Sequence, residues 1–497
     1  MHDSTAEQTR IANVHPPAWE NPRAKDRYHL VVIGGGTGGL VTAAIAAGLG
    51  ARTALVERHW MGGDCLNVGC VPSKALLRAA REWHAASTAH ERFGGPVVDG
   101  QRDFGAAVRR MQEIRADISA VDSAPRYREL GVDVFFGQAR FTGADNVTVD
   151  GQNLRFRRAV IATGTRPAVP PIPGLADTGY LTNETIFSLT EVPRRLAVIG
   201  GGPIGAELAQ AFARFGSIVT ILQKDQRILG KDDPEAAGIV AAALARDGVR
   251  ILTSVKIERV ERRQSIVIHS VREGRNEELQ ADAILVASGR VPNVEELGLD
   301  EAGIEYDQRR VITDDGLRTS NRRVYAVGDI TGRAPFTHVA DAHARMVVQN
   351  ALFFGRKKVT DLVIPWCTYT HPELAHVGMK WDEAGKRGDT MDSITIPLHD
   401  VDRARLDGHE EGFLRVHLRE GSDKILAATL VGDHAGDIIG QLSMAMRQGL
   451  GLSAVGATIF PYPTEAEVIR KAADAWRKRK LSPRVRGLFQ LYFRLVR

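Results

Sequence analysis

Cysteine is scarce in this sequence, and long apolar runs are missing. Only three cysteines occur in 497 residues, at Cys65, Cys70 and Cys367. This is too few for a secreted disulfide scaffold and is typical of a reducing compartment. No run approaches the roughly 18 uninterrupted apolar residues that a membrane span needs. The first residues have neither a basic nor an apolar stretch, so we expect no signal peptide and a cytoplasmic location.

Acidic residues are missing from the last part of the chain. Residues 476–497 hold eight arginines and lysines and no aspartate or glutamate. The whole chain has a formal net charge of +5, so the chain without these eight cations has a formal net charge of −3. Nothing in that remainder indicates a basic groove, and we expect no nucleic-acid partner.

Glycine is abundant, with 50 residues, and it marks an internal repeat. Residues 31–58 and 197–224 each combine an apolar segment, a glycine turn, an alanine-rich segment and a second apolar segment. This order predicts a strand, a helix and a strand in which the helix start binds the pyrophosphate of a dinucleotide. A glycine turn without a ligand is the alternative, and two copies in the same context argue against it. The glycines that fit the pattern are Gly34, Gly36 and Gly39 in the first copy and Gly200, Gly202 and Gly205 in the second.

A second pair of related segments follows. Residues 159–167 and 284–293 each run from an apolar strand into a turn of small residues, and they are expected to complete the two nucleotide units. Thr163 and Gly164 lie in the first of these turns and Gly289 in the second. Residues 169–174 contain three prolines and a glycine and predict a linker.

The residue at the end of the second strand of such a unit meets the adenosine ribose. In the first copy this residue is Glu57, whose carboxylate suits the 2′-hydroxyl of FAD. The same position in the second copy is Gln223, followed by Lys224. A neutral residue beside a cation favours NADPH, while NADH stays open because Lys224 could be an ordinary surface charge.

Cys65 and Cys70 follow the first nucleotide unit in the segment GGDCLNVGCVPSK, residues 62–74. Two cysteines at this spacing near a helix start can form a disulfide and lower a thiolate pKa. A closed metal site needs about four ligands, and only Cys367 is left to add to the pair. Two inert buried thiols are the other alternative, but the whole motif favours a redox-active pair.

This segment resembles the active-site motif of the class I pyridine nucleotide-disulfide oxidoreductases. Residues 319–329, ending Tyr-Ala-Val-Gly-Asp, resemble the second FAD motif of that family. The resemblance covers about residues 28–475 and implies FAD and NADPH as cofactors. It implies that Cys65 meets the substrate, that Cys70 lies next to the flavin and that Lys74 and Glu207 form an ion pair near the flavin and the nicotinamide. The remaining cofactor-binding candidates are Ala139, Thr163, Gly164, Gly289, Gly328 and Asp329.

The resemblance implies an α/β fold with two Rossmann-like nucleotide-binding domains, for FAD and NAD(P), and a C-terminal α+β dimerisation domain. Strand-like runs at 412–418 and 424–431 and helix-like runs at 435–447 and 466–476 agree with that third domain. We expect a homodimer whose active sites are shared across the interface. The expected divisions are an N-terminal arm at 1–27, an FAD-binding domain at 28–170 and 292–360, an NAD(P)-binding domain at 171–291, a dimerisation domain at 361–475 and a basic amphipathic tail at 476–497.

A C-terminal motif distinguishes the branches of this family. Where dihydrolipoamide dehydrogenase and glutathione reductase have a histidine acid/base, this chain has Tyr462, although Glu467 at the end of the motif is kept. A tyrosine of pKa about 10 cannot carry protons at neutral pH as a histidine of about 6.5 can. Tyr462 is similar to a tyrosine of mercuric reductase that faces the metal, and Tyr180 is similar to a second one. The resemblance therefore implies Hg(II) as a substrate at Cys65 and Cys70, and no structural metal.

Two features depart from mercuric reductase. The chain has no cysteine after Cys367 and no N-terminal Cys-x-x-Cys segment. A dihydrolipoamide dehydrogenase-like enzyme, or another reductase of small disulfides, quinones or metal ions, therefore stays open. A non-enzymatic flavin-binding sensor agrees less well, because it needs no second nucleotide site.

The end of the chain predicts an amphipathic helix. Apolar residues at 488, 491, 492 and 495 share one face, next to a basic run. Such a helix can lie on an anionic membrane surface, or it can pack against its own chain or a partner subunit. Peripheral membrane contact through 476–497 is thus one of two expectations.

Overall fold

Two parts of the chain are built on parallel sheets and a third on an antiparallel sheet, which confirms the expected fold class. The computed structural model describes residues 4–496 except 99, 101, 381–382 and 384–390. The strands are β1 (Tyr28–Ile33), β2 (Thr53–Glu57), β3 (Val132–Phe136), β4 (Arg140–Gly143), β5 (Asn146–Val149), β6 (Gln152–Ile161), β7 (Thr165–Pro167), β8 (Arg195–Ile199), β9 (Ile218–Leu222), β10 (Arg250–Leu252), β11 (Lys256–Arg262), β12 (Ile266–Arg272), β13 (Arg275–Ala281), β14 (Ala283–Val286), β15 (Arg290–Pro292), β16 (Val324–Ala326), β17 (Pro365–Thr368), β18 (Glu373–Gly378), β19 (Met391–Pro397), β20 (Phe413–Arg419) and β21 (Ile425–Gly432). The helices are α1 (Thr5–Val14), α2 (Thr37–Gly48), α3 (Gly63–Val68), α4 (Cys70–Phe93), α5 (Phe104–Ser119), α6 (Ala124–Glu129), α7 (Leu175–Thr178), α8 (Pro203–Phe215), α9 (Pro234–Arg246), α10 (Thr337–Leu352), α11 (Asp402–Leu406), α12 (Ala435–Arg447), α13 (Leu452–Gly456), α14 (Glu467–Arg479) and α15 (Pro483–Leu495).

The first sheet carries the first glycine motif. Its parallel strands run in the order β3-β2-β1-β6, and β16 pairs in parallel with the last residues of β6. The first residues of β6 pair antiparallel with β5 instead. All residues of β1 except His29 are buried. A strand covered on both faces has a continuous apolar sequence, as residues 30–33 do.

The second unit repeats the first. Its parallel strands run in the order β10-β9-β8-β14. A separate antiparallel sheet, β11-β12-β13, comes between β10 and β14 in the chain, as β4 and β5 come between β3 and β6. Strands β7 and β15 form a two-stranded ladder, with Arg290 opposite Pro167, that links the two units. The repeat in the sequence is therefore a repeat in structure, and β16 returns the chain to the first sheet.

The two nucleotide units share an apolar core. Helices α4 and α5 pack against α8 of the second unit through aromatic side chains. The ring centroids of Phe104 and Phe215 lie 5.1 Å apart, and those of Trp83 and Phe215 lie 5.0 Å apart. Helix α4 begins at Cys70, so this core directly supports the segment that carries the two cysteines, residues 62–74, which is called the redox segment below.

The third unit has its own core. Its antiparallel sheet runs in the order β17-β18-β21-β20-β19, and α12 and α14 contribute Leu442, Ile469 and Trp476 to the apolar cluster on it. The predicted helix at 435–447 has the observed bounds, and the predicted strands at 412–418 and 424–431 differ from the observed ones by one residue at each end.

The N-terminal arm is folded onto the first unit. Within α1, the Arg10 side chain is 1% exposed and lies over the ring of Trp60, 4.5 Å from its centroid. Glu7 pairs with Arg10 and with Arg115. Although burial opposes the charge of Glu7, the two arginines hold its pKa below the ordinary value.

Candidate active site

One large cavity in the described part of the chain reaches both glycine turns. Its volume is about 3450 Å³, several times the roughly 300–1,000 Å³ of a pocket for one small ligand. It has room for two dinucleotides. The predicted site residues that line it are Gly34, Gly36, Glu57, Cys65, Cys70, Lys74, Ala139, Thr163, Gly164, Gly200, Gly202, Glu207, Gln223, Lys224, Gly289, Gly328 and Asp329.

The third glycine of each motif packs the helix against the turn and does not line the cavity. A Cβ on Gly39 would lie 1.8 Å from the carbonyl oxygen of Gly34, and one on Gly205 would lie 2.0 Å from that of Gly200. Only glycine lets the helix start this close to the strand.

The second glycine of each motif is the N-cap of a helix without a side-chain cap. At Gly202 a Cβ would meet nothing within 4 Å, so the cavity reaches the backbone at the start of α8. Unpaired N–H groups at a helix start favour a phosphate. The two turns therefore fit the pyrophosphates of FAD and of a nicotinamide dinucleotide.

Glu57 and Gln223 occupy equivalent positions in structure. Glu57 accepts a hydrogen bond of 2.6 Å from the N–H of Gly35, and Gln223 accepts one of 2.8 Å from the N–H of Gly201. The amide of Gln223 also donates to Asp225, at 2.8 Å. Asp225 lines the cavity and was not identified from the sequence, although it stands two residues after Gln223.

Asp329 lies at the first nucleotide unit, where a short 3₁₀ turn (Gly328–Thr331) begins. Its carboxylate accepts a hydrogen bond of 3.1 Å from the Thr165 hydroxyl, and burial raises its pKa. Together with Glu57, it would supply acceptors for the ribose and ribityl hydroxyls of a bound FAD.

The redox segment forms two helices joined by one residue. A Cβ on Gly69 would lie 2.8 Å from the carbonyl oxygen of Asp64, so the direct turn from α3 into α4 requires glycine. Cys65 therefore lies in α3, and Cys70 is the first residue of the 24-residue helix α4. A helix start stabilises a thiolate.

The two thiols are hydrogen-bonded to each other and differ in acidity. The pKa of Cys70 is lowered to about 6 by the hydrogen bond from Cys65, by the Thr337 hydroxyl and by the charge of Lys74, against the effect of burial. The Thr337 hydroxyl lies 3.4 Å from the Cys70 sulfur. The hydrogen bond to Cys70 and burial raise the pKa of Cys65. Cys70 is therefore the thiolate of the reduced pair, and Cys65 is the thiol.

Lys74 and Glu207 join α4 to α8 beside the pair. Their charged groups lie 2.7 Å apart, and Glu207 also accepts a hydrogen bond of 2.8 Å from the backbone N–H of Tyr369. Burial opposes the charge of Lys74, but Glu207 outweighs it and raises the pKa of Lys74. Cys367 lines the same cavity, and there burial raises its pKa, so it stays a neutral thiol.

Besides Gly39 and Gly205, three predicted catalytic residues do not line the cavity of their own chain. Tyr180 packs against the apolar core of the second nucleotide unit. Tyr462 is 72% exposed, and its hydroxyl donates to Asp402 at 3.1 Å. Glu467 is buried and pairs with Arg470.

Asp64, next to Cys65, was missed in the sequence. Its carboxylate pairs with Arg290 at 2.9 Å and accepts a hydrogen bond of 3.0 Å from Asn183. Burial raises the pKa of Asp64. Its place before Cys65 was the only local signal, because its partners lie far away in sequence.

A second group of titratable residues surrounds Asp433, after β21. Its carboxylate contacts His371 Nε2 at 3.1 Å and His409 Nδ1 at 2.6 Å. The other ring nitrogens face Arg214 and Arg92 at 3.1 and 3.2 Å. Each ring therefore accepts from an arginine and donates to Asp433, so the hydrogen-bond network is satisfied and neither ring has a nitrogen lone pair left for a metal.

A family model for pyridine nucleotide-disulphide oxidoreductases matches residues 28–344. The chain belongs to this family. Its members use FAD and NAD(P)H, so the protein is a flavin-dependent oxidoreductase of the pyridine nucleotide-disulphide type, as the active-site motif indicated. The model of the family's dimerisation domain matches residues 364–473 and supports a homodimer.

Several relatives cover most of the chain. It is 35% identical over 449 residues to the mercuric reductase of Staphylococcus aureus, which covers 90% of this chain and 82% of that one. It is 33% identical over 469 residues to the dihydrolipoyl dehydrogenase of Thermus scotoductus, covering 91% of this chain and 98% of that one. Among solved structures, the HOCl-induced flavoprotein disulfide reductase RclA of Escherichia coli aligns with a TM-score of 0.79 at 29% identity, covering 90% of this chain and 99% of that chain.

Proposed function

We propose that the protein uses NADPH to reduce a soft metal ion, with Hg(II) as the principal substrate, at the Cys65–Cys70 pair. When bound, FAD would accept a hydride from the nicotinamide and pass an electron pair to the cysteine disulfide. The mercuric reductases at about 35% identity support this proposal.

The observation that carries the proposal is the composition of the thiol site. Cys70 is a thiolate near neutral pH, Cys65 is in hydrogen-bond contact with it, and both line an open cavity. In the described part of the chain, no histidine hydrogen-bonds either thiol, and Tyr462 stands at the motif position of the family's acid/base. Two soft donors without a proton carrier suit a metal better than a disulfide.

The chemistry on the chain's own atoms is a ligand exchange. Hg(II) carried by two small thiolates would transfer to the sulfurs of Cys70 and Cys65, and the Cys65 proton would leave with a released thiol. A second NADPH would then supply two electrons that reduce the bound Hg(II) to Hg(0). Both sulfur–mercury bonds break, Cys70 is left as a thiolate, and the proton released as NADPH becomes NADP⁺ returns to Cys65. A disulfide substrate would instead need a proton at its leaving sulfur, which Tyr462 supplies poorly at neutral pH.

The test compares electron acceptors with the purified, FAD-loaded protein. NADPH oxidation is followed without oxygen, using Hg(II) as its bis-cysteine complex, lipoamide or glutathione disulfide. We expect Hg(II)-dependent oxidation, loss of at least about 100-fold in Cys65→Ala and Cys70→Ala, and retention in the matched control Cys367→Ala. Rapid lipoamide turnover with no response to Hg(II) would refute the proposal.

A second candidate is the reduction of a small disulfide such as lipoamide. The Thermus scotoductus dihydrolipoyl dehydrogenase, at 33% identity over nearly its whole length, favours it. In the same assay this candidate requires lipoamide turnover to exceed Hg(II) turnover.

Two further features belong to the proposal. Exposed Tyr462 and buried Glu467 would complete the site of the partner subunit, which is how a homodimer could share its active sites. Gln223 and Lys224 favour NADPH over NADH, because no carboxylate stands at the ribose position and an exposed cation follows it. The Asp225 carboxylate, which accepts a hydrogen bond from the Gln223 amide, opposes this preference, and the ratio of kcat/KM for NADPH to that for NADH measures the balance.

A further inference from the structure

Helix α15 leaves nearly all of its surface uncovered by the described part of its own chain. None of its residues is buried. Leu488 is 66% exposed and Leu495 is 76% exposed, whereas Trp476 of the preceding helix α14 is buried in the third unit. Of the two packing partners expected for this helix, its own chain is therefore wrong, and a partner subunit stays the alternative to membrane contact.

An isolated helix of this length is only marginally stable in water. Thirteen residues are marginal without tertiary contacts. The helix start is well defined, since the Ser482 side chain accepts from the N–H of Val485 and Pro483 occupies the first turn. The sequence thus encodes a helix, but its apolar surface needs something outside the chain to cover it.

The side chains of α15 are separated into two faces. At 100° per residue, Arg486, Gln490 and Arg494 follow one another at intervals of four and form a narrow polar stripe. The rest of the circumference is almost entirely apolar, apart from Arg484 in the first turn. The apolar face comprises Val485, Leu488, Phe489, Leu491, Tyr492, Phe493 and Leu495.

Cations flank this apolar face, and no acid balances them. The last acidic residue of the sequence is Asp474, and the cations that follow include the run 477–480. Within the described part of the chain, no ion pair involves Arg484, Arg486 or Arg494, and all three are exposed. A second copy of this helix would bring like charges together, whereas an anionic surface would neutralise them.

We propose that α15 lies flat on an anionic lipid bilayer and holds the reductase at the membrane surface. The apolar face enters the boundary between headgroups and acyl chains, and the arginines contact lipid phosphates. Phe489, Tyr492 and Phe493 supply the aromatic rings that favour this interfacial depth. The helix is about 20 Å long, and no described helix is both long and apolar enough to span a membrane. Two tails on a homodimer would bind one surface together and strengthen the attachment.

The test is flotation of the full-length, FAD-loaded protein with vesicles of phosphatidylcholine and phosphatidylglycerol at 3:1, or of phosphatidylcholine alone. We expect binding to the first and at least about tenfold weaker binding to the second. Leu488→Gln/Leu491→Gln/Leu495→Gln, which keeps every charge, should weaken binding by about 100-fold or more. Arg486→Gln/Arg494→Gln should weaken it about 25-fold, roughly fivefold per cation. Gln490→Ala, on the same helix, is the matched control and should bind like the wild type.

Three results would overturn the proposal. The first is failure of the wild-type protein to float with anionic vesicles. The second is dissociation of the homodimer by the triple leucine variant in light scattering, which would assign the apolar face to a second copy. The third is binding to a short DNA duplex but not to vesicles. FAD content and melting temperature of each variant show that the body is folded. Because vesicle binding needs no turnover, its outcome is independent of whether Hg(II) is the substrate.

Discussion

Arg10 in the N-terminal arm donates a hydrogen bond to the side-chain oxygen of Asn67, two residues beyond Cys65. The amide of Asn67 donates in turn to the carbonyls of Met61 and Gly63, at 3.0 and 2.8 Å. The family model begins to match at residue 28. An arm outside the matched region therefore supports the backbone of the redox segment.

Replacing Arg10 should loosen this segment. Arg10→Ala removes one arginine partner of buried Glu7 and the hydrogen bond to Asn67. Because Arg115 still pairs with Glu7, we expect a cost below the roughly 3–5 kcal/mol of a buried charge left without a partner. We expect a lower melting temperature and faster alkylation of Cys65. Arg23→Ala, an exposed arginine of the same arm, is the control. An unchanged Cys65 alkylation rate in the Arg10 variant would show that the arm does not restrain the segment.

The acidity of Cys70 can be measured in the reduced protein. A pKa lowered to about 6 means that Cys70 is a thiolate above this pH and becomes a neutral thiol below it. The rate of its alkylation by iodoacetamide, followed by mass spectrometry, should therefore fall as pH drops through 6. Cys65→Ala removes the hydrogen-bond donor and should move the midpoint upward, while Cys367→Ala should leave it in place. A midpoint near 8.5 in the wild type, the ordinary value for a thiol, would contradict the observed environment of Cys70.

Gln223→Glu should shift the coenzyme preference toward NADH. The new carboxylate can still accept the Gly201 N–H, as Glu57 accepts that of Gly35, so the turn should be preserved. Its charge would repel a 2′-phosphate and lower the ratio of kcat/KM for NADPH to that for NADH by about 10–100-fold. Gln448→Glu adds the same charge at an exposed residue elsewhere. A wild-type protein that already prefers NADH would show that Asp225, and not Gln223, decides the preference.

Tyr462→His should make the protein a better disulfide reductase. A histidine titrates near neutral pH and can protonate a leaving thiolate, which contributes roughly 10²–10⁴-fold in comparable reactions. We expect lipoamide reduction to rise at least tenfold and to acquire a pH dependence near 6.5. Tyr306→His, at another exposed tyrosine, is the control. No gain in a variant that remains dimeric would place position 462 away from the partner's Cys65.

Local patterns predicted most of the nucleotide-binding framework. Each unit of apolar strand, glycine turn and alanine-rich helix is encoded within about 30 consecutive residues. The sequence therefore predicts both copies at the positions where the structure has them. The equivalence of Glu57 and Gln223 followed from counting along these copies, and both make the same backbone hydrogen bond.

Contacts between distant segments could not be predicted in this way. Thr337 reaches Cys70 across 267 positions of sequence, and Arg290 reaches Asp64 across 226. Neither residue type stands out where it occurs. Arg10 gave no signal either, since a charged residue in a terminal segment is usually exposed.

Helix α4 starts at Cys70, and its Trp83 packs edge-on against Phe215 in the second nucleotide unit. The thiol pair and the second glycine turn are thus both supported by the same continuous apolar core. A hinge motion between the two units would have to separate the cluster around Phe104, Phe212 and Phe215, which would expose several buried aromatic side chains to water. We therefore expect this reductase to work as a rigid frame, in which substrate and coenzyme exchange through small movements at the cavity mouth while the distance from coenzyme to sulfur stays constant.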